Sequence, residues 1–124
     1  MIGVGIDVVD VVRFRRVMNR RPNLSARLFT GAERAYADRR HDPSERYAVR
    51  FAAKEAVLKA MGLGLGGCRF IDIEVVKLAS GAPGVQLHGQ AGVLAAERDI
   101  TEWRLSLTHT DSVAQAIAVA LGAS

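Results

Sequence analysis

The segment "RFAAKEAVLKAMGLG", residues 50–64, sets Lys54, Glu55 and Lys59 among alanines and aliphatic residues suited to burial. On a helical wheel at about 100° per residue, Glu55 and Lys59 stack one above the other, flanked by Ala48 and Ala52. Tyr47, Phe51, Leu58 and Met61 share another face, so the helix is apolar over most of its circumference. An i,i+4 Glu–Lys pair on a solvated face stabilises a helix by only a few tenths of a kcal/mol. At the edge of a core, the same charges need a compensating partner. Asp7 is a second carboxylate in an unusual place, closing the apolar run "IGVGID" beside Gly3 and Gly5. A strand-end carboxylate commonly serves as a turn residue. Asp7 and Glu55 together suit Mg²⁺, which takes one or two carboxylates and completes its octahedron with water and phosphate oxygens. Lys59 would add a fixed positive charge beside phosphate. The third candidate is "SLTHT", residues 106–110, a strand end rich in hydroxyls with one imidazole. A Ser106/His109/Asp111 triad can be drawn, but no nucleophile-elbow sequence accompanies it. His109 as a phosphate or hydroxyl contact is the more economical reading, and His41 and His88 read as structural or surface residues. "GLGLGG" follows a helix instead of opening one and lacks the P-loop pattern, so it reads as a helix stop.

The elements that must position these groups follow from periodicity. Residues 2–9 are β-branched and alternating, a strand ending near Asp7 to Asp10. A short helix follows with the arginine cluster, up to Pro22. Thr30 and Glu33 have capping-box spacing for a helix at "TGAERAYADRR". Asp42, Pro43 and Glu45 repeat the start signal for a helix running through Met61, with Gly62 as terminator. Residues 70–88 read as a hairpin around "ASGAPG", "QAGVLAAERD" as a modest helix, and "EWRLSLTH" as a strand. The tail "VAQAIAVAL" suits helix or strand by composition. Alanines at 114, 116, 118 and 120 favour a strand with one closely packed face. The predicted architecture is α+β, a mainly antiparallel sheet packed with a long central helix.

At 124 residues the chain is expected to form a single domain, 1–124, with one core. About half of it is apolar and a quarter charged, as in an ordinary globular protein. One cysteine, Cys68, excludes an internal disulfide and fits a reducing compartment. The N-terminus lacks the features of a signal peptide, and no apolar run is long enough for a membrane span. The expected location is therefore cytoplasmic. A net charge of +4, with Arg13, Arg15, Arg16, Arg20 and Arg21 close together, points to an acidic partner. A small basic nucleic-acid-binding domain would satisfy the charge, but aromatics are scarce and no nucleic-acid-binding signature is present. A non-catalytic oligomerisation module would explain the apolar strands. Neither alternative gives a role to Glu55.

Three segments together, "GIDVVDVVRF", "RFAAKEAVLKAMGLG" and "LSLTHT" with its alanine-rich tail, resemble the holo-[acyl-carrier-protein] synthases, the small bacterial 4'-phosphopantetheinyl transferases. Motif order and spacing agree over essentially the whole chain. The resemblance implies the 4'-phosphopantetheinyl transferase fold and a homotrimer with active sites between subunits; the scarce aromatics, missing signatures and short apolar runs predict no nucleic-acid or membrane partner. It also implies Mg²⁺-dependent transfer of the phosphopantetheine arm of coenzyme A to a serine of an acyl carrier protein, releasing adenosine 3',5'-bisphosphate, in fatty-acid or polyketide biosynthesis. By the same resemblance Asp7 and Glu55 match the metal carboxylates, and Glu55 and Lys59 the catalytic pair. Arg50, Lys59 and His109 match coenzyme A contacts. Arg13, Arg16 and Arg20, on one side of their helix, would dock the acidic carrier protein. The chain departs from the family in Leu63 of "GLG", where a threonine is common, in Val113 for a tyrosine, and in Arg21 at a docking position that can be apolar.

Overall fold

A computed structural model describes every residue except Leu65 and Ser124. The chain runs β1 (Gly3–Asp10), α1 (Val11–Arg20), α2 (Leu24–Leu28), α3 (Gly31–Ala37) and α4 (Ser44–Ala60). It continues through a 3₁₀ turn (Phe70–Asp72), β2 (Ile73–Lys77), β3 (Pro83–Leu87), α5 (Gly89–Glu97), β4 (Glu102–His109) and β5 (Val113–Leu121). Every strand pairing is antiparallel, in a three-stranded sheet of order β1-β5-β4 and a β2-β3 hairpin.

Strand alternation decides what meets α4. In β5 the alanines at 114, 116, 118 and 120 are all buried, whereas Gln115 and Ile117 are exposed. The register places Gly3, Gly5 and Asp7 of β1 opposite Ala120, Ala118 and Ala116, so they share the helix-facing side. Gly5 is required there: a Cβ would collide with the Ala56 carbonyl of α4, and one at Gly3 would collide with that of Ala60. The glycines and alanines thus bring strand and helix backbones together, and Asp7 emerges from the same side two residues on. The other side of the sheet, with Val4, Ile6 and Val8 of β1 and Ile117 of β5, stays exposed.

The helix boundaries follow their start signals. Thr30 and Glu33 form both bonds of the capping box that opens α3. The Asp42 carboxylate accepts from the Ser44 N–H at 3.0 Å, so α4 opens one residue later than the sequence pattern places it. Met61 caps its C-terminus, and Gly62 follows at φ +74°, the left-handed conformation that favours glycine. The expected hairpin begins with a 3₁₀ turn, because Arg69 and Asp72 pair locally before the strand starts at Ile73.

The charge most deeply placed in α4 is Lys54, which is fully buried. Its Nζ donates to Glu33 Oε1 at 2.8 Å, to the Phe70 carbonyl at 2.9 Å and to the Ile73 carbonyl. Glu33, equally enclosed, accepts from the Thr30 N–H with one oxygen and from the Val75 N–H with the other. One ion pair therefore ties α3, α4, the 3₁₀ turn and β2 together.

Candidate active site

Asp7, Glu55 and Lys59 converge as the sequence predicts, but not in the predicted pairing. Lys59 Nζ reaches across to β1, donating to Asp7 Oδ1 at 3.1 Å and to the Ile6 carbonyl at 3.0 Å. Glu55 is half-buried and has no hydrogen-bond or ion-pair partner among the described residues. The close approach of β1 to α4 explains the exchange, since it brings Asp7 within the lysine's reach. Burial pushes the Glu55 carboxyl above its ordinary range; the Asp7 charge pushes it further, and Lys59 opposes them. Two carboxylates that repel each other, one without a partner, form a donor set that a divalent cation suits. Among the described residues no three His, Cys, Asp or Glu side chains converge, so water and substrate oxygens would have to complete any such ion's shell.

These three residues line a cavity of about 620 Å³, together with Arg13, Phe14 and Val17 of α1, Leu24 and Leu28 of α2, and Phe51. Arg13, Arg16 and Arg20 are exposed, as their spacing predicts, while Val11 and Phe14 fix the opposite side of α1 in the core. Asp10 caps this helix, its Oδ1 accepting from the Arg13 N–H at 2.9 Å. Arg15 is drawn away to Asp42, at 3.0 Å.

Arg50 and His109 lie elsewhere. They line a second cavity of about 370 Å³ with Tyr36, Arg40, Arg46 and Lys77. On α4, Glu45, Arg46, Val49 and Arg50 face this cavity, while Phe51, Glu55 and Lys59 face the first, so the helix body stands between them. His109 Nδ1 sits 3.7 Å from Glu45 Oε2. No hydrogen bond joins Ser106, His109 and Asp111 among the described residues, which leaves the drawn triad without support. His88 caps α5 and contacts Glu74 at 2.8 Å, a structural role. Sequence reasoning missed Tyr36, Arg40, Arg46 and Lys77 in this cavity. The one available signal was Arg46, a turn before Arg50 on the same helix face.

The family model of the 4'-phosphopantetheinyl transferase superfamily matches residues 3–118. The chain belongs to this family. Among these transferases, a holo-[acyl-carrier-protein] synthase of Moorella thermoacetica is 46% identical over 119 residues, covering 96% of this chain and 93% of the relative. The Plasmodium yoelii acyl carrier protein synthase with ADP bound superposes with a TM-score of 0.89 at 32% identity, covering 100% of this chain and 97% of that one. The Helicobacter pylori holo-[acyl-carrier-protein] synthase in complex with coenzyme A gives 0.83 at 28% identity, covering 95% and 99%. The α+β transferase fold expected from the motifs is the fold observed. No helix of the described residues is long and apolar enough to cross a membrane.

Proposed function

We propose that this chain transfers the 4'-phosphopantetheine group of coenzyme A to a serine hydroxyl of an apo acyl carrier protein and releases adenosine 3',5'-bisphosphate. The observation that carries this reading is the convergence of Asp7, Glu55 and Lys59 on one cavity, bordered by the arginine-bearing helix α1. Asp7 and Glu55 would hold a Mg²⁺ ion, as the half-buried Glu55 carboxylate, without a partner among the described residues and raised by burial and then by Asp7, supports. When bound, that ion supplies positive charge beside the substrate's pyrophosphate. Lys59 adds a second positive contact, since one of its three N–H donors has no partner among the described residues. The serine oxygen forms a bond to the phosphorus carrying pantetheine as the bond from that phosphorus to the departing bisphosphate breaks. Glu55 takes the serine proton, directly or through a water, since its carboxylate has no other hydrogen-bond partner among the described residues.

Arg50 and His109 are proposed contacts of the nucleotide end of coenzyme A. Because α4 separates them from the carboxylates, a complete site combines Asp7, Glu55 and Lys59 of one copy with Arg50 and His109 of its neighbour. A homotrimer is the proposed assembly, and the exposed apolar face of Val4, Ile6, Val8 and Ile117 is its proposed contact surface. Sedimentation should give three times the 13.4 kDa of one chain; a monomer at micromolar concentration would refute this assembly.

The exposed face of Arg13, Arg16 and Arg20 is the proposed docking surface for the acidic carrier, with association that weakens in salt. Mass spectrometry of an apo carrier incubated with this protein, coenzyme A and Mg²⁺ tests the whole reading. The carrier should gain roughly 340 Da, the mass of the transferred group in metal-assisted phosphoryl chemistry. No gain across several carriers overturns the function. In the same assay, reversing charge at Arg13 and Arg20 should raise KM for the carrier several-fold and leave KM for coenzyme A unchanged; equal effects on both would exclude the docking face.

A further inference from the structure

The cavity of Arg50 and His109 gathers more positive charge than those two residues bring. Arg46 Cζ lies 4.0 Å and Arg50 Cζ 4.2 Å from the centre of the Tyr36 ring, with Lys77 Nζ 5.9 Å away; Arg39, outside the cavity lining, is also 5.9 Å from the ring. None of these cations pairs with a carboxylate among the described residues. Such a cluster repels itself; the negative face of the aromatic ring opposes the repulsion at close range, beside the more distant charges of Glu33 on Arg50 and of Asp42 and Glu45 in the lining. The cations also hold the Tyr36 hydroxyl below its usual range: burial pushes it upward, but Arg46, Arg50 and Lys77 outweigh burial. Arg50 is only 9% exposed, and its buried Nε has no hydrogen-bond partner among the described residues. Arg46 is fastened twice, since its Nη1 also donates to the Tyr36 carbonyl at 2.6 Å. Tyr36 itself sits on α3, whose first turn is fixed by the Thr30–Glu33 capping box.

We propose that Tyr36 is a positioning residue whose ring is the platform that keeps the Arg46 and Arg50 guanidiniums gathered for the phosphate-bearing nucleotide end of coenzyme A. This rests on the reading of the cavity as the nucleotide site. Without the ring, the ligand itself would have to collect two mutually repelling guanidiniums, and affinity would fall by that cost. The loss belongs to binding and not to the phosphoryl step, so KM for coenzyme A rises while kcat holds.

Calorimetric titration of the assembled protein with adenosine 3',5'-bisphosphate tests this. Tyr36→Leu should raise Kd about tenfold, the loss expected when cation–π contacts are removed from a partly desolvated site. Tyr36→Phe keeps the ring and should restore affinity to within about twofold of the original. Arg46→Gln should weaken binding in the parent chain and much less in the Tyr36→Leu background, because the two residues act through one contact. An unchanged Kd in Tyr36→Leu overturns the proposal. So does a Tyr36→Phe loss as large as that of leucine, or strict additivity with Arg46→Gln. Arg50→Ala separates this proposal from the reading beneath it. If Arg50→Ala weakens binding and Tyr36→Leu does not, only the platform fails; if neither does, the nucleotide site itself is misplaced.

Discussion

Glu55→Gln should abolish carrier modification, by at least the roughly 10²–10⁴-fold that a general base contributes, while leaving unfolding cooperative and the thermal midpoint no lower. The expectation of unchanged or improved stability follows from the environment of this carboxylate. It has no partner to lose among the described residues, and burial, then Asp7, raise its proton affinity against the pull of Lys59. A carboxyl raised in the folded state binds more protons there than in the unfolded chain as pH climbs through its window. Stability therefore falls with rising pH between the ordinary glutamate value and the raised one, and the ionised group remains a cost above it. An uncharged amide of the same shape removes that cost and flattens this part of the pH profile. Thermal melts across the acidic range, run beside the mass-spectrometric transfer assay, read both effects. A variant that unfolds easily would make Glu55 a structural ion-pair partner, and one that still transfers would remove it from the chemistry. The sign is informative: a group kept for catalysis at the expense of stability improves the apo fold when neutralised.

Local signals in this sequence were legible because their partners are local. The four alternating alanines of β5 announce a strand with one tight face, since period two is set by the backbone alone. Thr30 and Glu33 announce a helix start, since a capping box closes within three residues. The grouping of Asp7, Glu55 and Lys59 was legible for a different reason: three charged residues in apolar surroundings need an explanation that composition does not provide. What was not legible is which charge pairs with which. Lys59 bonds Asp7 across 52 positions because Gly3 and Gly5 let β1 approach α4, a consequence of packing that neither segment states by itself. The division of the site was equally hidden. Arg50 is five residues before Glu55, yet helical rotation sends them to different cavities, one walled by β1, α1 and α2 and the other by α3, the β2–β3 hairpin and β4. Tyr36 illustrates the limit, since nothing in "AERAYADRR" says that two guanidiniums from another helix will stack on its ring.

Lys54 and Glu33 were the least legible residues, and they carry the largest expected effect on stability. Each has a local explanation that conceals the other: Glu33 completes a capping box, and Lys54 looks like the neighbour of a site carboxylate. In the fold both are sealed from solvent and bonded to each other 21 residues apart. Burial lowers the proton affinity of Lys54, while the Glu33 charge and hydrogen bond work to hold its proton. Glu33→Ala would leave an ammonium in the core with only the Phe70 and Ile73 carbonyls as partners, and would strip acceptors from the Thr30 and Val75 N–H groups. Breaking a buried pair from one side costs about 3–5 kcal/mol, a large part of the stability of a domain this size. Lys54→Met alone should cost a similar amount, for the mirror reason. Glu33→Leu alone should cost as much as Glu33→Ala, and the double change Glu33→Leu with Lys54→Met should recover part of the loss, because a buried pair exchanged for apolar side chains of like volume is often close to neutral; Glu33→Leu, Lys54→Met and their combination form the cycle. Denaturant unfolding of the three variants measures this directly. Single-variant losses near 1 kcal/mol would mean that water reaches the pair and that it is not the clamp between α3, α4 and β2. Losses that simply add in the double variant would mean that the two residues stabilise the fold independently. Non-additivity identifies a single clamp, and through α4 that clamp sets the seat from which Glu55 and Lys59 reach their cavity.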